Sequence, residues 1–581
     1  MDHQKNEKNH DSELKKPVLI IGGSLVGLST AMFLGMHGIK SLIIEKHQGT
    51  AIHPRAGYFQ LRTLEMMRQA GVERKVVKAA HALYDPNGGL NAVESLTGRE
   101  IANYIPDINQ GVEDLTPVRR LFMPQQVLEP IIKDRAEELG SEFLYSHQVT
   151  EFSQDESGVS LRAKHIDSGE IKVFKGKFLI ACDGSRSPVR NDLGIKMKGY
   201  PVMSQSITIY FRADCSKALR GRNLGVIYVN NEKVRGFFRL EKTGLGGFLV
   251  IFTVGNINDP GARNAAGDVT EEKAAQYIRD AVGDQELEVN VEDIHKWEAV
   301  CHAAERLQEG KIFLAGDSAH VTTPTGGYGG NTGVQDAHNL AWKVAMVLNG
   351  KADEALLESY NDERQPAAMQ MIEQGYQRYV SRSDPDLGME GVKKQIPDVH
   401  VEFNRYRSNA VIPNKDYLDD GKLDIDVRAS FALPGTRAPH VEIYVNEKLG
   451  STIDLYGERF VLVTAQKGEK WKEVIKQIGK EFSLEIDFQL IDSPGAKGKY
   501  TELPIHREKI SSPFSLPFTE SYGISLNGAV LVRPDGYVAW REKSYNKNSE
   551  NNLRDALGQI LCRTNAFGDA SILVESEGVK K

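Results

Sequence analysis

Short apolar runs, glycine-rich turns and amphipathic segments alternate along the first part of the chain. The run VLII at 18–21 is short enough for a buried parallel strand, and small and apolar residues at helical spacing follow from Val26 to Leu34. A second apolar run at 42–44 ends in Glu45. The pattern predicts a strand, a tight turn, a helix and a second parallel strand.

The turn IIGGSLVG places Gly22, Ser24 and Gly27 at the three positions where a dinucleotide-binding turn needs small residues. Serine at the middle position adds a hydroxymethyl group where the backbone must approach a pyrophosphate. Such a turn would aim free N–H groups and the positive end of a helix dipole at phosphate, and Glu45 would hold a ribose. The alternative is an ordinary strand-to-helix turn that binds nothing.

The same patterns place further elements along the chain. They predict helices ending at Gly71 and Gly140, strands over 142–151, 158–164 and 177–181, a mostly antiparallel set of strands over 201–302 with a helix near 271–282, and a helix that begins near Asn331 as its N-cap. The segment 382–422 has few apolar residues and is typical of a connector. Beyond Ala432, a strand at 460–464, a helix at 471–478 and a strand pair in GAVLVRPDGYVAWR predict a separate α/β domain.

Length and charge exclude several classes of protein. The 581 residues imply two or three domains, and a net charge of -7 offers no basic field for nucleic acid. Residues 1–16 are polar and charged, unlike a signal peptide or a membrane anchor, and the sequence contains no run of 18 apolar residues. We expect a cytoplasmic protein with no membrane partner and a disordered tail at 1–16.

The cysteines offer no metal or redox chemistry. Cys182, Cys215, Cys301 and Cys562 are far apart and include no C-x-x-C pair. This argues against a disulfide scaffold, a zinc site and a dithiol redox centre. We expect no bound metal.

Three glycine-centred motifs occur in a set order, namely GGSLVG, CDGSRSPVR at 182–190 and LAGDSAHVTTPTGGYGGNTG at 314–333. Each follows an apolar strand, and the last precedes an amphipathic helix. Together they resemble the class A flavoprotein monooxygenases, whose type member hydroxylates para-hydroxybenzoate. The resemblance extends from residue 17 to about residue 366.

The resemblance implies contacts to the pyrophosphate, ribose, ribityl chain and isoalloxazine ring of FAD. The cofactor-binding residues that it implies are Gly22, Ser24, Gly27, Glu45, Arg55, Gln125, Asp183, Gly184, Asp317, Pro324, Gly329, Gly330 and Asn331. Asp183 and Gly184 would serve both FAD and the nicotinamide, and free N–H groups of Gly330, Asn331 and Thr332 at a helix start would stabilise charge on the reduced ring.

By the same resemblance, NADPH or NADH and O2 are consumed, and a C4a-hydroperoxyflavin hydroxylates a phenolic or polycyclic polyketide substrate. Tyr228, Phe237 and Arg239 on the inserted sheet would form the substrate wall, although simple core packing is equally expected of them. The catalytic residue is unknown. His320 and His302 are the histidines to weigh, and the family assigns no catalysis to the position of His320.

The tail beyond Ala432 resembles the thioredoxin-like domain of phenol-hydroxylase-type relatives. Without C-x-x-C it cannot exchange disulfides, so packing or homodimer contact is the expected role. The segment RYRSNAVI at 405–412, together with this tail, points to the branch that acts on chlorophenols and polycyclic aromatic polyketides.

The predicted fold class is therefore α/β, with a discontinuous Rossmann-like FAD domain, an inserted mostly antiparallel sheet domain and a C-terminal thioredoxin-like domain. The predicted boundaries are a tail at 1–16, FAD-binding segments at 17–84, 115–200 and 303–381, substrate-domain segments at 85–114 and 201–302, a connector at 382–431 and the C-terminal domain at 432–581. The alternatives are a flavin oxidoreductase or epoxidase acting on a non-phenolic or antibiotic substrate, and a flavin-binding partner without turnover.

Overall fold

The computed structural model describes residues 14–52, 57–222, 225–252, 269–414, 417–503 and 516–563. Within these ranges the helices are α1 (Leu25–Met36), α2 (Leu61–Gln69), α3 (Glu73–Leu83), α4 (Gln125–Glu138), α5 (Pro188–Asp192), α6 (Ser216–Leu219), α7 (Glu271–Val282), α8 (Tyr328–Leu348), α9 (Glu358–Arg382), α10 (Asp398–Glu402), α11 (Lys470–Phe482), α12 (Phe518–Ser521) and α13 (Ser549–Ile560).

The strands are shorter and fall into separate sheets. They are β1 (Leu14–Lys15), β2 (Val18–Ile21), β3 (Ser41–Ile44), β4 (Tyr58–Phe59), β5 (Leu90–Val93), β6 (Glu100–Ile105), β7 (Leu121–Phe122), β8 (Glu142–Leu144), β9 (His147–Asp155), β10 (Gly158–His165), β11 (Ile171–Gly176), β12 (Phe178–Ala181), β13 (Met197–Arg212), β14 (Val226–Asn230), β15 (Arg235–Leu240), β16 (Gly246–Phe252), β17 (Asn290–Ala304), β18 (Gln308–Glu309), β19 (Ile312–Leu314), β20 (His320–Val321), β21 (Glu442–Val445), β22 (Lys448–Ser451), β23 (Phe460–Ala465), β24 (Ile486–Asp492), β25 (Tyr500–Glu502), β26 (Ala529–Val532) and β27 (Val538–Glu542).

The first sheet is built from the apolar runs that open the chain. Its strands lie in the order β18-β19-β12-β2-β3-β8, and all neighbours except β18 and β19 are parallel. Strands β2, β3, β12 and β19 are buried along their whole length, as expected for strands covered on both faces. Helices α1 and α8 both contribute to the core that covers this sheet.

The inserted sheet has eight strands in the order β20-β17-β13-β16-β15-β14-β5-β6, and its described pairs are antiparallel except for β14 with β5. One face is largely aliphatic and packs against α7. The other face is aromatic and packs against α9 and the first residue of α8. Because side chains alternate along a strand, neighbouring residues of β15 such as Phe237 and Phe238 serve opposite faces.

The C-terminal sheet has seven strands in the order β22-β21-β25-β24-β23-β26-β27. The predicted strand at 460–464 is β23, and the predicted helix at 471–478 is part of α11. With a parallel sheet, a mostly antiparallel insertion and this third unit, the predicted fold class is confirmed.

Two details differ from the sequence predictions. Leu14 and Lys15, assigned to a disordered tail, form β1 and pair in parallel with β11. The domain boundaries predicted at residues 200 and 302 lie inside β13 and β17, which pair with each other from one domain into the next. The two domains are therefore linked by a continuous two-stranded ribbon.

A buried interdomain ion network joins the C-terminal domain to the first one. It consists of Lys343 on α8, Glu363 on α9, and Arg533 and Asp535 in the turn between β26 and β27. The Glu363 carboxylate accepts from Arg533 at 2.5 and 2.9 Å and from Lys343 at 2.8 Å, and Asp535 accepts from Arg533 and from the indole of Trp342 at 3.2 Å. All of these side chains are buried, so the network is closed to water.

In the described ranges, no helix is both long and apolar enough to cross a membrane. The same ranges contain no group of three or more His, Cys, Asp or Glu side chains arranged to hold a metal ion. The cysteines are free thiols, buried or half-buried.

Candidate functional site

The turn between β2 and α1 requires glycine at two of the three predicted positions. Gly22 has a φ of +101°, and a Cβ there would lie 2.2 Å from the carbonyl oxygen of Cys182. A Cβ at Gly27 would lie 1.8 Å from the carbonyl oxygen of Gly22. The turn therefore lies in contact with both β12 and α1, which is the close packing that a pyrophosphate-binding turn needs.

Ser24, the residue that departs from the glycine pattern, is held by side chains of α4. Its hydroxyl donates to Glu129 Oε1 at 2.8 Å and accepts from Gln125 Nε2 at 2.8 Å. Glu129 is fully buried and also accepts from Gln125 Nε2 at 2.6 Å and from the N–H of Ala51 at 2.6 Å. The serine side chain thus has its own partners, and its backbone stays at the N-terminus of α1.

Glu45 directly follows β3 and returns to the same turn. Its carboxylate accepts from the N–H of Gly23 at 2.6 Å and from the N–H of His47 at 2.8 Å. The side chain is buried, and two hydrogen bonds leave part of the accepting capacity of a carboxylate unused. Glu45 is oriented at the turn and can accept from a hydroxyl group beside it.

The two other aspartates of the motifs lie at one edge of the parallel sheet. Asp183 follows β12, Asp317 follows β19, and these strands are parallel neighbours. Ser318 ties the two turns together, because its hydroxyl donates to the carbonyl oxygen of Ala181 at 2.6 Å and its own carbonyl oxygen accepts from Arg190 at 2.9 Å. The edge therefore brings together residues that are far apart in the sequence.

The two aspartates differ in burial. Asp183 is partly buried, and burial raises the pKa of its carboxyl group. Its Oδ2 accepts from the N–H of Val189 at 3.1 Å, whereas Oδ1 is buried and has no hydrogen-bond partner in the part of the chain that the structure describes. Asp317 is exposed, and Gly184 has a φ of +87° with open space where a Cβ would lie. This edge keeps polar capacity and room for a ligand.

Helix α8 begins four residues earlier than predicted. The expectation that Asn331 is its N-cap is wrong: the helix starts at Tyr328, and the N-cap is Gly327 with a φ of 65°. A glycine pair can turn the chain where a capping side chain could not, since a Cβ at Gly327 would lie 2.7 Å from Tyr58. The unsatisfied N–H groups of the first turn are therefore those of Tyr328, Gly329 and Gly330.

The Asn331 side chain makes all its hydrogen bonds within the protein. It donates to the carbonyl oxygens of Tyr58 and Gly327 at 2.9 and 2.7 Å. It accepts from the N–H of Gln60 at 2.9 Å and from the hydroxyl of Thr63 at 2.7 Å. Asn331 therefore fixes the segment before α2 against α8. Pro324 is exposed on the loop that leads to this helix, and its carbonyl oxygen accepts from the N–H of Gly327.

The segment before α2 also contacts the inserted sheet. Arg55 lies outside the described residues, but Gly57 next to that gap accepts a hydrogen bond from Arg239 of β15. The Arg239 guanidinium lies 4.6 Å from the ring centroid of Phe122 and 6.0 Å from that of Tyr84. Among the described residues it has no carboxylate partner, and burial lowers its pKa. A buried cation without a counter-ion is costly and is suited to an anionic ligand.

The other two predicted substrate residues lie on the same face as Arg239. Tyr228 and Phe237 are buried, and their ring centroids are 5.8 Å apart. Phe237 also lies 5.9 Å from Phe252, which contacts Tyr379 of α9 at 5.5 Å. These rings form a dry aromatic surface opposite the start of α8.

Neither His320 nor His302 presents a free Nε2 to this aromatic surface as an acid or base. His320 is fully buried, and its Nε2 donates to Asp336 Oδ2 at 2.6 Å. Asp336 also accepts from Arg364 at 2.8 Å and from the N–H of Gly316 at 3.1 Å, so His320 supports the turn that carries the GDS motif. His302 donates from Nε2 to a backbone carbonyl of β13 at 2.6 Å.

The arrangement fits a flavin dinucleotide. It offers a turn where added Cβ atoms would clash with the backbone, a buried aspartate oxygen with no partner in the described chain, and three N–H groups at the start of a long helix. Phosphate groups prefer such turns, and ribose or ribityl hydroxyls can donate to carboxylates. The sequence reasoning missed Glu129, although its spacing of four residues from Gln125 puts both on one face of α4.

Two family profiles match the chain. The FAD binding domain family matches residues 15–375, and the aromatic-ring hydroxylase C-terminal family matches residues 432–564. Together they cover most of the chain.

Individual relatives and solved structures span nearly the whole length. The chain is 43% identical to a 4-methyl-5-nitrocatechol 5-monooxygenase of Burkholderia sp over 95% of this chain and 98% of the relative. It is 32% identical to a tetracenomycin A2 monooxygenase-dioxygenase of Streptomyces glaucescens over 94% and 97%. Its structure is similar to that of an aklavinone-11 hydroxylase in a ternary complex with FAD and aklavinone, with a TM-score of 0.85, 29% identity and coverage of 95% and 100%.

Proposed function

Because the chain belongs to the FAD-dependent aromatic-ring hydroxylases and is an NAD(P)H-consuming aromatic monooxygenase, we propose that its substrate is a single aromatic ring of the nitrocatechol type. The observation that carries the proposal is the 43% identity to a 4-methyl-5-nitrocatechol 5-monooxygenase over 95% of the chain. The name of that relative puts oxygenation at the carbon that bears the nitro group.

Oxygen insertion at such a carbon has a defined balance. One nitrocatechol, one O2, one NAD(P)H and one proton give one hydroxyquinone, one nitrous acid, one NAD(P)+ and one water. The nicotinamide supplies two electrons, one oxygen atom leaves as water, and the other bonds to the ring carbon. The C–N bond breaks and its electron pair leaves with nitrite, so the ring, a catechol in the substrate, is a quinone in the product.

We assign the cofactor contacts as the resemblance implies, with the change that the start of α8 requires. The turn containing Gly22, Ser24 and Gly27 would hold the pyrophosphate, with Glu45 on the adenosine ribose. The side chains and loop positions proposed for the rest of FAD are Arg55, Gln125, Asp183, Gly184, Asp317, Pro324, Gly329 and Gly330. Tyr328 joins this set through its N–H, and Asn331 supports the site through the segment before α2.

When bound, FAD supplies the electron transfer between the nicotinamide and O2. The protein contributes charge stabilisation, because the N–H groups of Tyr328, Gly329 and Gly330 at the start of α8 favour negative charge near them. It also contributes orientation, since Arg239 is buried near the segment before α2 and can bind an ionised catechol oxygen. The aromatic face with Phe237 excludes water from the reacting ring.

The test is a stoichiometric assay on the purified holoenzyme. With 4-methyl-5-nitrocatechol, we expect NAD(P)H oxidation and O2 uptake to rise together, and one nitrite to appear for each NAD(P)H consumed. NAD(P)H oxidation without nitrite, with all the oxygen recovered as hydrogen peroxide, would contradict this substrate.

A polycyclic aromatic substrate is the second candidate. It is supported by the similarity to the tetracenomycin A2 monooxygenase-dioxygenase and to the aklavinone-11 hydroxylase complex. In the same assay, aklavinone would then gain one oxygen atom without nitrite release, and the nitrocatechol would not be converted.

A further inference from the structure

A cleft of about 210 Å³ opens between the β5–β6 hairpin, the strands β14 to β16 and the C-terminal end of α9. Its walls include Tyr104, Tyr228, Phe252, Arg382 and Ser383. Tyr228 and Phe252 also belong to the buried aromatic face of the inserted sheet. The cleft is therefore the place where this aromatic face reaches the surface.

The rim of the cleft is aromatic and exposed. Tyr104 and Ile101 on the edge strand β6 are 45% and 44% exposed. The Tyr104 ring meets Tyr228 edge-on at 5.9 Å, and Tyr228 contacts Phe237 further inside. Exposed apolar side chains beside a concave surface are typical of a ligand site. The rings form a continuous path from the rim to the interior.

The cleft carries positive charge that its own carboxylates leave largely uncompensated. Arg235 pairs with Asp386 at 3.7 Å, but both side chains are exposed, so this pair is weak. Arg382 forms no ion pair with a carboxylate of the described residues within 4.0 Å. The carboxylate whose pKa Arg382 helps to lower, Asp398, is itself bound to Arg378 at 2.6 Å.

Tyr228 lies between the charge in the cleft and the charge in the interior. Burial raises the pKa of Tyr228, and the guanidinium groups of Arg382 and Arg239 both oppose that rise. Arg382 also acts on the pKa of Tyr328, the first residue of α8, which burial raises. The cation in the cleft is thus close to the inner aromatic face and to the start of α8.

We propose that this cleft is an outer binding site for the ionised form of a single-ring phenolic substrate, with Arg382 as the residue that recognises its negative charge. The proposal rests on the proposed function and identifies where its substrate first binds. The volume of about 210 Å³ lies below the range typical of pockets for drug-sized ligands, so it suits one substituted ring. From this site the anion passes Tyr228 and reaches Arg239.

The experiment compares an ionised and a neutral ring of similar size. The probes are 4-nitrocatechol, which is ionised at neutral pH because the nitro group withdraws charge, and 4-methylcatechol, which is not. Each is titrated into oxidised holoenzyme while the flavin absorbance is followed, and KM and kcat are measured separately. In Arg382→Gln we expect Kd and KM for nitrocatechol to rise about 10- to 100-fold, the effect of losing one charge-assisted hydrogen bond.

The same variant should bind 4-methylcatechol within about threefold of the parent, because no charge is recognised there. The matched control is Arg99→Gln, since Arg99 lies in the turn of the same hairpin, directly before β6, but outside the cleft, and is paired with Glu94 at 2.5 Å. Its affinity for both probes should match that of the parent. Raising the salt concentration should weaken nitrocatechol binding in the parent and much less in Arg382→Gln.

Equal weakening of both probes in Arg382→Gln would overturn the proposal, as would unchanged binding of nitrocatechol. A second variant, Tyr104→Ala, removes an exposed ring and should weaken both probes several-fold without changing their ratio. Unchanged binding of both in that variant would also count against the cleft. Failure of the proposed function is distinct, because the parent itself would then release no nitrite from 4-methyl-5-nitrocatechol, whatever the affinities of the two probes.

Discussion

Two polar regions of this protein, the interdomain ion network and the edge of the parallel sheet, differ in whether their polar atoms have hydrogen-bond partners. In the interdomain ion network, the Glu363 carboxylate accepts from Arg533, Lys343, Asn339 and the hydroxyl of Ser408. At the edge of the parallel sheet there are fewer charges, but one buried oxygen of Asp183 has no partner among the described residues, and a helix start leaves N–H groups unsatisfied.

A ligand site differs from a structural cluster in keeping polar atoms that the protein itself does not satisfy. Perturbed pKa values alone would point to the ion network, because the charges of Arg533 and Lys343 outweigh burial and hold the pKa of Glu363 far below its ordinary value. Yet its hydrogen bonds are all made inside the protein. The sheet edge is the better site, since its polar atoms still have capacity for a cofactor.

The largest effect should come from breaking the ion network. Glu363→Gln leaves Arg533 and Lys343 buried without a full counter-ion, so we expect a loss of about 3 to 5 kcal/mol in the free energy of unfolding. The measurement is urea unfolding of the apoprotein followed by circular dichroism. Glu354→Gln is the control, because the Glu354 side chain that pairs with Lys311 is 63% exposed, and its loss should cost at most about 1 kcal/mol. Similar losses of unfolding free energy in both variants would show that the buried network contributes no more stability than an ion pair at the surface.

The same carboxylate should make stability depend on acid pH. Burial raises the pKa of Glu363, but Arg533 and Lys343 lower it more, so the folded state binds fewer protons than the unfolded state near its ordinary value of 4.5. The stability that Glu363 contributes is therefore present above about pH 4.5 and is lost as the pH falls further. Unfolding midpoints should drop more steeply in the parent than in Glu363→Gln as the pH falls from about 5 to about 3. Parallel curves would contradict this assignment.

A substitution at Ser24, in the turn between β2 and α1, should change the affinity for FAD. Ser24→Val removes both hydrogen bonds to α4 and adds bulk beside the expected pyrophosphate, so FAD affinity should fall by about 1 to 3 kcal/mol. Ser24→Gly is the matched control, since it loses the same two hydrogen bonds but adds no bulk and leaves Glu129 bonded to Gln125, so its FAD affinity should stay close to that of the parent. Calorimetric titration of apoprotein with FAD decides: equal affinity in Ser24→Val and the parent would mean that the cofactor lies elsewhere.

The smallest effect is expected at Asp317. Because this side chain is exposed, Asp317→Ala should change the unfolding free energy by less than about 0.5 kcal/mol. Its FAD affinity should fall by about 0.5 to 1.5 kcal/mol, the contribution of one hydrogen bond. The FAD affinity of Asp317→Asn, which keeps a hydrogen-bond acceptor, should lie between those of the parent and of Asp317→Ala. If Asp317→Ala lost stability but kept its FAD affinity, Asp317 would be a residue that supports the fold and not one that contacts the cofactor.

The sequence predicted the elements that local patterns control. The first strand-turn-helix unit and α7 occur where the sequence pattern predicted them. The start of α8 was wrong because a capping side chain was preferred over a glycine that can adopt a positive φ. The ion network could not be predicted. The PDG sequence after Arg533 indicates only a local turn, and the partner of Arg533, Glu363, lies 170 residues away in the chain.

That separation has a consequence for biosynthesis. Glu363 and Lys343 leave the ribosome long before Arg533, and at about 5 to 20 residues per second the separation of 170 residues takes about 8 to 35 s to synthesise. During this interval the nascent first domain carries a carboxylate destined for the interior without its main cation. Its final packing therefore waits for the last part of the chain, and a pause in translation before residue 533 extends the time in which it is exposed to chaperones and aggregation.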